Sequence, residues 1–265
     1  MPFTLSHIFS EAFSSLRKGF VPLLVVTLLL YILPNQVITV GLRLGMGITL
    51  GSPQSLQGGI LAITVVAFVI MYVLVFMHIS AVYEVCVLTM TNKPVKLGQV
   101  FAHSLGNALP IFLIYLLCIL GWLVGTVLLL VPAIIFCTFF SVVIPAYVTE
   151  KPGIFGAFTR SRALTKGHRW GIFGLWILLL IIFYILAAAI EVPLLWPLIQ
   201  ATMKQAAEGG QPVAPVPPSL GVMLALSVAG SFFLVVILSI NASVYSCLRF
   251  EKDKLSAAGL EKVFE

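Results

Sequence analysis

Charged residues are scarce in this sequence. Lys, Arg, Asp and Glu make up only 9% of its 265 residues, whereas globular proteins contain about 25%. The segment 109–148 lacks Lys, Arg, Asp, Glu, His, Asn and Gln altogether. As one helix it would be roughly 60 Å long, about twice the hydrocarbon thickness of a bilayer. This absence argues against a soluble protein and predicts two membrane crossings joined by a tight turn near Pro132.

Residues that commonly carry catalysis are also few and dispersed. The nine acidic residues are scattered, the four histidines form no pair with metal-ligand spacing, and the four cysteines have no C-x-x-C spacing. Hydrolysis of a phosphodiester would need clustered carboxylates or histidines with a metal ion. Neither a P-loop nor a G-x-S-x-G motif occurs. We therefore predict a protein that is not an enzyme and has no catalytic residues, metal site or cofactor.

Apolar residues are abundant, making up 60% of the chain with a mean hydropathy of +1.14. Backbone polar groups within lipid must be hydrogen-bonded internally, and the absence of period-two alternation argues against a membrane β-barrel. We predict an all-α, polytopic membrane protein, with residues 1–265 forming a single domain and a cytoplasmic tail at 247–265. Its six predicted spans are 20–40, 59–88, 109–130, 132–148, 170–195 and 220–246.

Basic residues are distributed unevenly among the connections. Thirteen of the 15 Lys and Arg residues lie in the N-terminal segment, the second and fourth connections and the C-terminal tail. Only Arg43 and Lys204 lie in the other connections. The positive-inside rule then places both termini in the cytoplasm. The net charge of +6 is explained by this topology and by contact with anionic lipid headgroups, rather than by nucleic-acid binding.

The two long outer connections differ in composition. Residues 41–58 are rich in glycine and nearly free of charge, which predicts a segment lying along the outer interface with Arg43 reaching toward the headgroups. Residues 207–219 contain four prolines, a composition typical of an extended, polyproline-like spacer.

An amphipathic pattern recurs before three of the spans. Residues 5–20 and 97–112 place apolar side chains on one helical face and polar ones opposite, and residues 154–164 repeat the pattern more loosely. Such a period with a polar back is typical of an interfacial helix. We predict three units, each an interfacial cytoplasmic helix followed by a helical hairpin. The alternative is that each segment is only a cytoplasmic extension of its span.

The fourth connection carries the most distinctive motif. A Pro and a Glu close the fourth span, an Ala-x-x-x-Ser helix and a Leu-x-Lys-Gly turn follow, and an aromatic residue opens the fifth span. This pattern resembles the signature of YciC-like bacterial inner-membrane proteins. It is also similar to the membrane domain of some glycerophosphoryl diester phosphodiesterases. The matching residues are Pro145, Glu150, Ala157, Ser161, Leu164, Lys166, Gly167 and Trp170.

The resemblance is sharp over residues 130–175 and loose over the rest of the chain. It implies a six-span fold and a location in the bacterial inner membrane. It does not imply phosphodiesterase activity, because the six spans leave no room for the catalytic barrel of those enzymes.

Three ionisable residues fall within predicted spans, namely His78, Glu84 and Glu191. Ionisable groups are costly in lipid and often functional, so a small transporter or lipid-translocating protein is the alternative function. Glu84 lies eight residues before Asn92, and Glu191 lies just before Pro193. Neither acid therefore needs to be at the bilayer midplane, and we favour structural or interfacial positions for both.

A cluster of basic residues follows the fourth span. Its members are Arg160, Arg162, Lys166 and Arg169. We hypothesise that a Glu150–Arg160 pair fixes the return of the chain, and that the other three bind a lipid phosphate beside the Gly167 turn. The alternative is that all four only set topology and contact headgroups, at ~1 kcal/mol each. The predicted function is a non-enzymatic membrane module. It would engage anionic lipids, a partner protein or a second copy of itself at the cytoplasmic face.

Overall fold

The computed structural model describes residues 4–49, 54–127, 130–207 and 219–264. Within these ranges the chain is almost entirely helical and no strand is found. A π-helical turn at Leu28–Ile32 joins the second helix to the third. The helices are α1 (Leu5–Lys18), α2 (Phe20–Thr27), α3 (Leu33–Thr49), α4 (Gln54–Met90), α5 (Leu97–Val127), α6 (Leu130–Phe139), α7 (Val143–Glu150), α8 (Ile154–Thr165), α9 (Arg169–Ala207) and α10 (Leu220–Phe264).

Six helical segments are long and apolar enough to cross a membrane, which confirms the predicted all-α polytopic fold. Large apolar side chains cover their outward surfaces. Val37 and Ile63, for example, are each 70% exposed. Helices that are apolar on every side suit a lipid environment. The six spans are Phe20–Gly41, Leu61–Met90, Leu97–Val127, Val131–Glu150, Arg169–Pro197 and Leu220–Lys254.

The connection between the first two spans is more helical than the sequence predicted. Helix α3 continues to Thr49 and α4 begins at Gln54, so most of the segment 41–58 is helix. Each glycine lowers helix stability by only about 1 kcal/mol relative to alanine, whereas helical hydrogen bonds satisfy backbone groups near lipid. The side chain of Arg43 and most of the proline-rich connection lie outside the described residues.

The first two amphipathic segments differ from the predicted interfacial helices. In α1, Ile8 and Ala12 are buried against other helices, so much of the face predicted to contact lipid contacts protein. Phe13 remains 58% exposed. Residues 97–112 belong to α5, which continues without interruption to Val127. The alternative of a helical extension is therefore correct for this second segment.

The fourth span, predicted as one crossing at 132–148, consists of two helices separated by a turn. Helix α6 ends at Phe139 and α7 begins at Val143. Ser161 Oγ donates a hydrogen bond to the Phe139 carbonyl at 2.9 Å, and Asn241 Nδ2 donates to the Ser141 carbonyl at 3.1 Å. Because a backbone carbonyl within lipid needs a partner, these two side chains stabilise the break.

Helix α8 is a separate element that folds back on α7. The chain reverses through Lys151 and Gly153, which have φ angles of +49° and +81°. Ala157, Ser161 and Leu164 are fully buried along one side of α8. This packing, rather than contact with lipid alone, holds α8 in place and brings Arg160 beside Glu150 at the end of α7 and beside Asp253 on α10.

Candidate functional site

Glu150, the last residue of α7, is the centre of a polar network at one end of the helix bundle. Arg160 Nε on α8 donates to both carboxylate oxygens, at 2.8 and 3.1 Å. The Tyr245 hydroxyl on α10 donates to the same carboxylate at 2.7 Å. The Glu150 side chain is only 19% exposed. The hypothesised contact between Glu150 and Arg160 is therefore present, and it joins three helices.

Two charged residues of α10 complete this network. Arg160 Nη2 donates to Asp253 Oδ1 at 3.2 Å. Arg249 Nε lies 3.4 Å from Asp253 Oδ2 and 3.7 Å from Glu150 Oε1. Partial burial opposes the charge on Arg160, but the hydrogen bonds and charges of Glu150 and Asp253 raise the pKa of its guanidinium. We call the set formed by Glu150, Arg160, Tyr245, Arg249 and Asp253 the Glu150 network. Its two arginines and two carboxylates balance in charge, so the network is neutral overall.

Sequence reasoning misses the α10 members of the Glu150 network. Tyr245 is 95 residues from Glu150 in the chain, and Asp253 is 93 residues from Arg160. Nothing in the local pattern of the fourth connection indicates these partners. The available signal is the four-residue spacing of Tyr245, Arg249 and Asp253, which places all three on one side of a helix.

The two exposed basic residues at the end of α8, Arg162 and Lys166, lie apart from the Glu150 network. Arg162 and Lys166 are exposed. Among the side chains that the structure describes, neither forms an ion pair. Arg162 lies in the last turn of α8 and Lys166 follows it as the C-cap residue, a helix end where unpaired carbonyls favour positive charge. Two cations without a described carboxylate partner are thus presented at this end of the bundle.

Arg169, the third predicted phosphate ligand, is held against the protein. Its Cζ lies 3.7 Å from the centroid of the Phe139 ring, a cation–π contact. Gly167 has a φ of +99°, which residues with a Cβ rarely adopt, and so it allows the tight turn from α8 into α9. Trp170, the next residue after Arg169, is 85% exposed. Arg162 and Lys166 are therefore the accessible members of the predicted set.

The remaining motif residues contribute packing rather than accessible chemical groups. Pro145, Ala157, Ser161 and Leu164 are all buried. They lie where α7, α8 and the break in the fourth span meet. The distinctive motif thus specifies how the chain turns back after the fourth span.

The three ionisable residues predicted within spans are not brought together. Glu84 Oε1 lies 2.7 Å from His103 Nδ1 on the neighbouring α5. His78 Nε2 lies 3.1 Å from the Thr27 hydroxyl, and Glu191 is exposed on α9. Two concave sites lie between the described helices: a cavity beside the break in the fourth span, lined in part by Ser141 and Asn241, and an apolar groove between the first and sixth spans, lined in part by Phe20 and Phe232. Neither Glu84 nor Glu191 lines either of them.

Clusters suited to metal binding are not found in the described part of the chain. Specifically, no group of three or more His, Cys, Asp or Glu side chains there could hold a metal ion.

Comparison of the chain with family models, curated proteins and solved structures finds no match.

Proposed function

We propose that this protein is a non-enzymatic module of the bacterial inner membrane that binds anionic lipid headgroups at the cytoplasmic face. The observation that carries the proposal is a contrast between neighbouring cations. Arg160 and Arg249 are engaged by carboxylates, whereas Arg162 and Lys166 are exposed and form no ion pair among the described side chains. A lipid phosphate is the anion that a membrane surface supplies to such a pair.

The surroundings of this cation pair support a headgroup site. Trp170 is 85% exposed only four residues after Lys166, and tryptophan is enriched at membrane–water interfaces. The neutral Glu150 network keeps its carboxylates within its own ion pairs, so they compete little with a phosphate. The resemblance to YciC-like proteins, carried by residues 145–170, agrees with this proposal but assigns no ligand of its own.

Loss of both cations is expected to weaken lipid binding without unfolding the protein. At ~1 kcal/mol per basic residue, Arg162→Ala with Lys166→Ala should reduce phosphatidylglycerol affinity about tenfold or more. Native mass spectrometry of the detergent-purified full chain, titrated with phosphatidylglycerol, measures this affinity. The melting temperature should remain within about 2 °C of the unmodified protein, because both side chains are exposed and neither forms an ion pair among the described side chains.

The matched control for that double variant is Lys204→Ala, which removes an exposed lysine at the far end of α9. It should leave phosphatidylglycerol affinity unchanged. A loss of binding free energy in the control about half as large as that in the double variant would mean that only net charge matters, because the control removes one positive charge and the double variant removes two. Unchanged binding in the double variant would contradict the headgroup site.

The proposed orientation makes a separate prediction for cysteine labelling. In a cysteine-free background, single cysteines at Ser10, Lys93 and Arg162 should react with a membrane-impermeant maleimide only after spheroplasts are lysed. A cysteine at Lys204 should react in intact spheroplasts. All four positions are exposed, so accessibility does not bias the comparison. Labelling of the Arg162→Cys and Lys204→Cys variants from the same side would overturn the six-span topology.

A second candidate function is supported by the break in the fourth span. Helices interrupted within the membrane often line substrate sites in transporters, and α6 and α7 are separated in this way. Translocation of a fluorescent phospholipid across proteoliposomes that contain the purified chain would favour lipid transport over a binding module.

A further inference from the structure

The apolar groove between the first and sixth spans has a volume of about 400 Å³. One wall extends from Leu16 to Ile32, about 24 Å of helix. The opposite wall is α10 from Val228 to Val236. The groove therefore follows the direction of the spans, which is also the direction of lipid chains in a bilayer. Its volume falls within the range of small-ligand pockets.

The lining of the groove offers hydrocarbon contacts. Among its described lining residues, only Thr27 and Ser231 carry a polar side-chain group. The Thr27 hydroxyl lies 3.1 Å from His78 Nε2, and Ser231 Oγ donates to the Val228 carbonyl at 2.8 Å. Because both hydroxyls are engaged within the protein, a polar ligand would lose hydration without gaining a partner. The lining therefore suits a hydrocarbon chain.

The groove is open to the surroundings of the helix bundle. Phe20, Leu24 and Phe232 line it and are 63%, 52% and 65% exposed. All three lie in segments apolar enough to cross a membrane, so a ligand enters from the side, through lipid. Leu28 and Ile32 line the groove from the two ends of the π-helical turn, and such distortions frequently occur at functional sites.

A cation lies beside one end of the groove. Arg17 directly follows the lining residue Leu16, so the two Cα atoms are about 3.8 Å apart. Arg17 is exposed and forms no ion pair among the described side chains. The neighbouring Lys18 is engaged, since its Nζ donates to Asn92 Oδ1 at 2.8 Å. Arg17 is therefore the cation available to an anion at this end of the groove.

Helical geometry places Arg17 on the groove side of its helix. Gly19 N donates to the carbonyl four residues earlier at 2.8 Å, and Leu23 N donates to the Gly19 carbonyl at 2.9 Å. The helical hydrogen bonds thus continue from α1 into α2. Arg17 lies seven residues before Leu24 and eleven before Leu28, close to two and three helical turns. Because Leu24 and Leu28 line the groove, Arg17 shares their side.

We infer that this groove binds an anionic glycerophospholipid, with one acyl chain in the groove and the phosphate at Arg17. Such a lipid joins a phosphate to a hydrocarbon chain, which matches the cation at one end and the apolar lining beyond it. A helix of a second copy could fill the lining, but it supplies an anion only if an acidic residue aligns with Arg17. The site rests on the proposed membrane location, and it is separate from the headgroup site at Arg162 and Lys166.

A tryptophan placed in the groove reports its occupant in the full-length chain. The four native tryptophans are replaced by phenylalanine, and Phe232→Trp then provides the only indole. In phosphatidylcholine nanodiscs, lipids with brominated acyl chains quench an indole that they contact. Brominated phosphatidylglycerol should reach half-maximal quenching at about a fivefold lower mole fraction than phosphatidylcholine with the same chains. The factor is that expected for one basic residue near an anionic lipid.

Matched controls assign this preference to the groove and to Arg17. In the same tryptophan-free background, Tyr72→Trp reports a position on α4 of similar exposure, 62% against 65% for Phe232. Both brominated lipids should quench it equally. In the Phe232→Trp reporter, Arg17→Gln should abolish the preference for phosphatidylglycerol. Lys93→Gln removes an exposed cation that does not line the groove, and it should leave the preference intact.

A second measurement applies if the tryptophan-free background does not fold. Native mass spectrometry of the Arg162→Ala, Lys166→Ala variant measures phosphatidylglycerol binding outside the headgroup site. Adding Arg17→Gln to this variant should reduce the remaining affinity about fivefold, whereas adding Lys93→Gln should not. If Arg17→Gln leaves the affinity unchanged, the groove site is wrong.

Two quenching results would also overturn the groove site. One is equal quenching of the Phe232→Trp reporter by the two brominated lipids, which would mean that bilayer lipid fills the groove without preference. The other is weaker quenching of this reporter than of the Tyr72→Trp reporter by both lipids, which would mean that a protein helix covers the groove. Arg162→Ala with Lys166→Ala should leave the preference at the groove intact, so failure of the headgroup site is distinguishable from failure of this one.

Discussion

Replacement of Gly125 by alanine should destabilise the protein by about 1–3 kcal/mol, the usual cost of adding a methyl group to a packed contact. A Cβ at this position would lie 2.8 Å from Ala133 Cα and 2.9 Å from Ala133 N. Both are backbone atoms, so the clash can be relieved only if α5 and α6 move apart. The expected result is a lower melting temperature and a lower yield of folded protein in detergent.

The same helix offers a matched control for this change. A Cβ added at Gly106 would meet no atom within 4 Å, and alanine is favoured over glycine in helices by about 1 kcal/mol. Gly106→Ala should therefore keep or raise the melting temperature. If Gly125→Ala is as stable as Gly106→Ala, the close approach of α5 and α6 is wrong.

Loss of either partner in the Glu150–Arg160 pair should also destabilise the fold. We expect Arg160→Ala to cost about 1–3 kcal/mol, below the roughly 3–5 kcal/mol of a fully buried pair. The reduction reflects partial exposure, since the Arg160 and Glu150 side chains are 30% and 19% exposed. Glu150→Gln should have a similar effect, because the amide cannot accept from Arg160 and Tyr245 as the carboxylate does. Thermal unfolding of the detergent-purified chain measures both losses.

A double-mutant cycle tests whether these effects are coupled. The combined variant should cost less than the sum of the two single variants, by about 0.5 kcal/mol or more, because the residues contact each other directly. Arg162→Ala is the matched arginine control on the same helix, and it should leave stability unchanged. Additive losses in the cycle would contradict the ion pair, even if each single variant is destabilised.

The features of this fold that could be predicted from the sequence depend on local composition. The six spans follow from apolar length alone, because the hydrocarbon thickness of a bilayer fixes how much helix is needed. The Glu150–Arg160 pair can also be predicted from the sequence, since both residues lie within one short connection. The predicted lipid contact of Arg162 and Lys166 remains a prediction, with their exposure as its structural support.

Other features of the fold cannot be predicted from the local sequence pattern. The break at 140–142 occurs in a segment without charged or amide side chains, and such a sequence does not distinguish one long helix from two shorter ones. The interruption is stabilised by Ser161 and Asn241, which lie on other helices. The apolar face of α1 was likewise ambiguous, because a stripe that suits lipid suits a protein core equally well.

The sequence by itself determined that the chain is helical and which segments are long and apolar enough to cross a membrane, because burial of backbone groups in lipid depends only on length and hydropathy. Tertiary structure decided which polar groups meet. Tyr245, Arg249 and Asp253 join Glu150 only when α10 packs beside α7 and α8. The cavity around Asn241 and Trp176 likewise exists only between packed helices. The physical reason is that hydropathy acts on each segment independently, whereas hydrogen bonds and ion pairs require two partners a few ångströms apart.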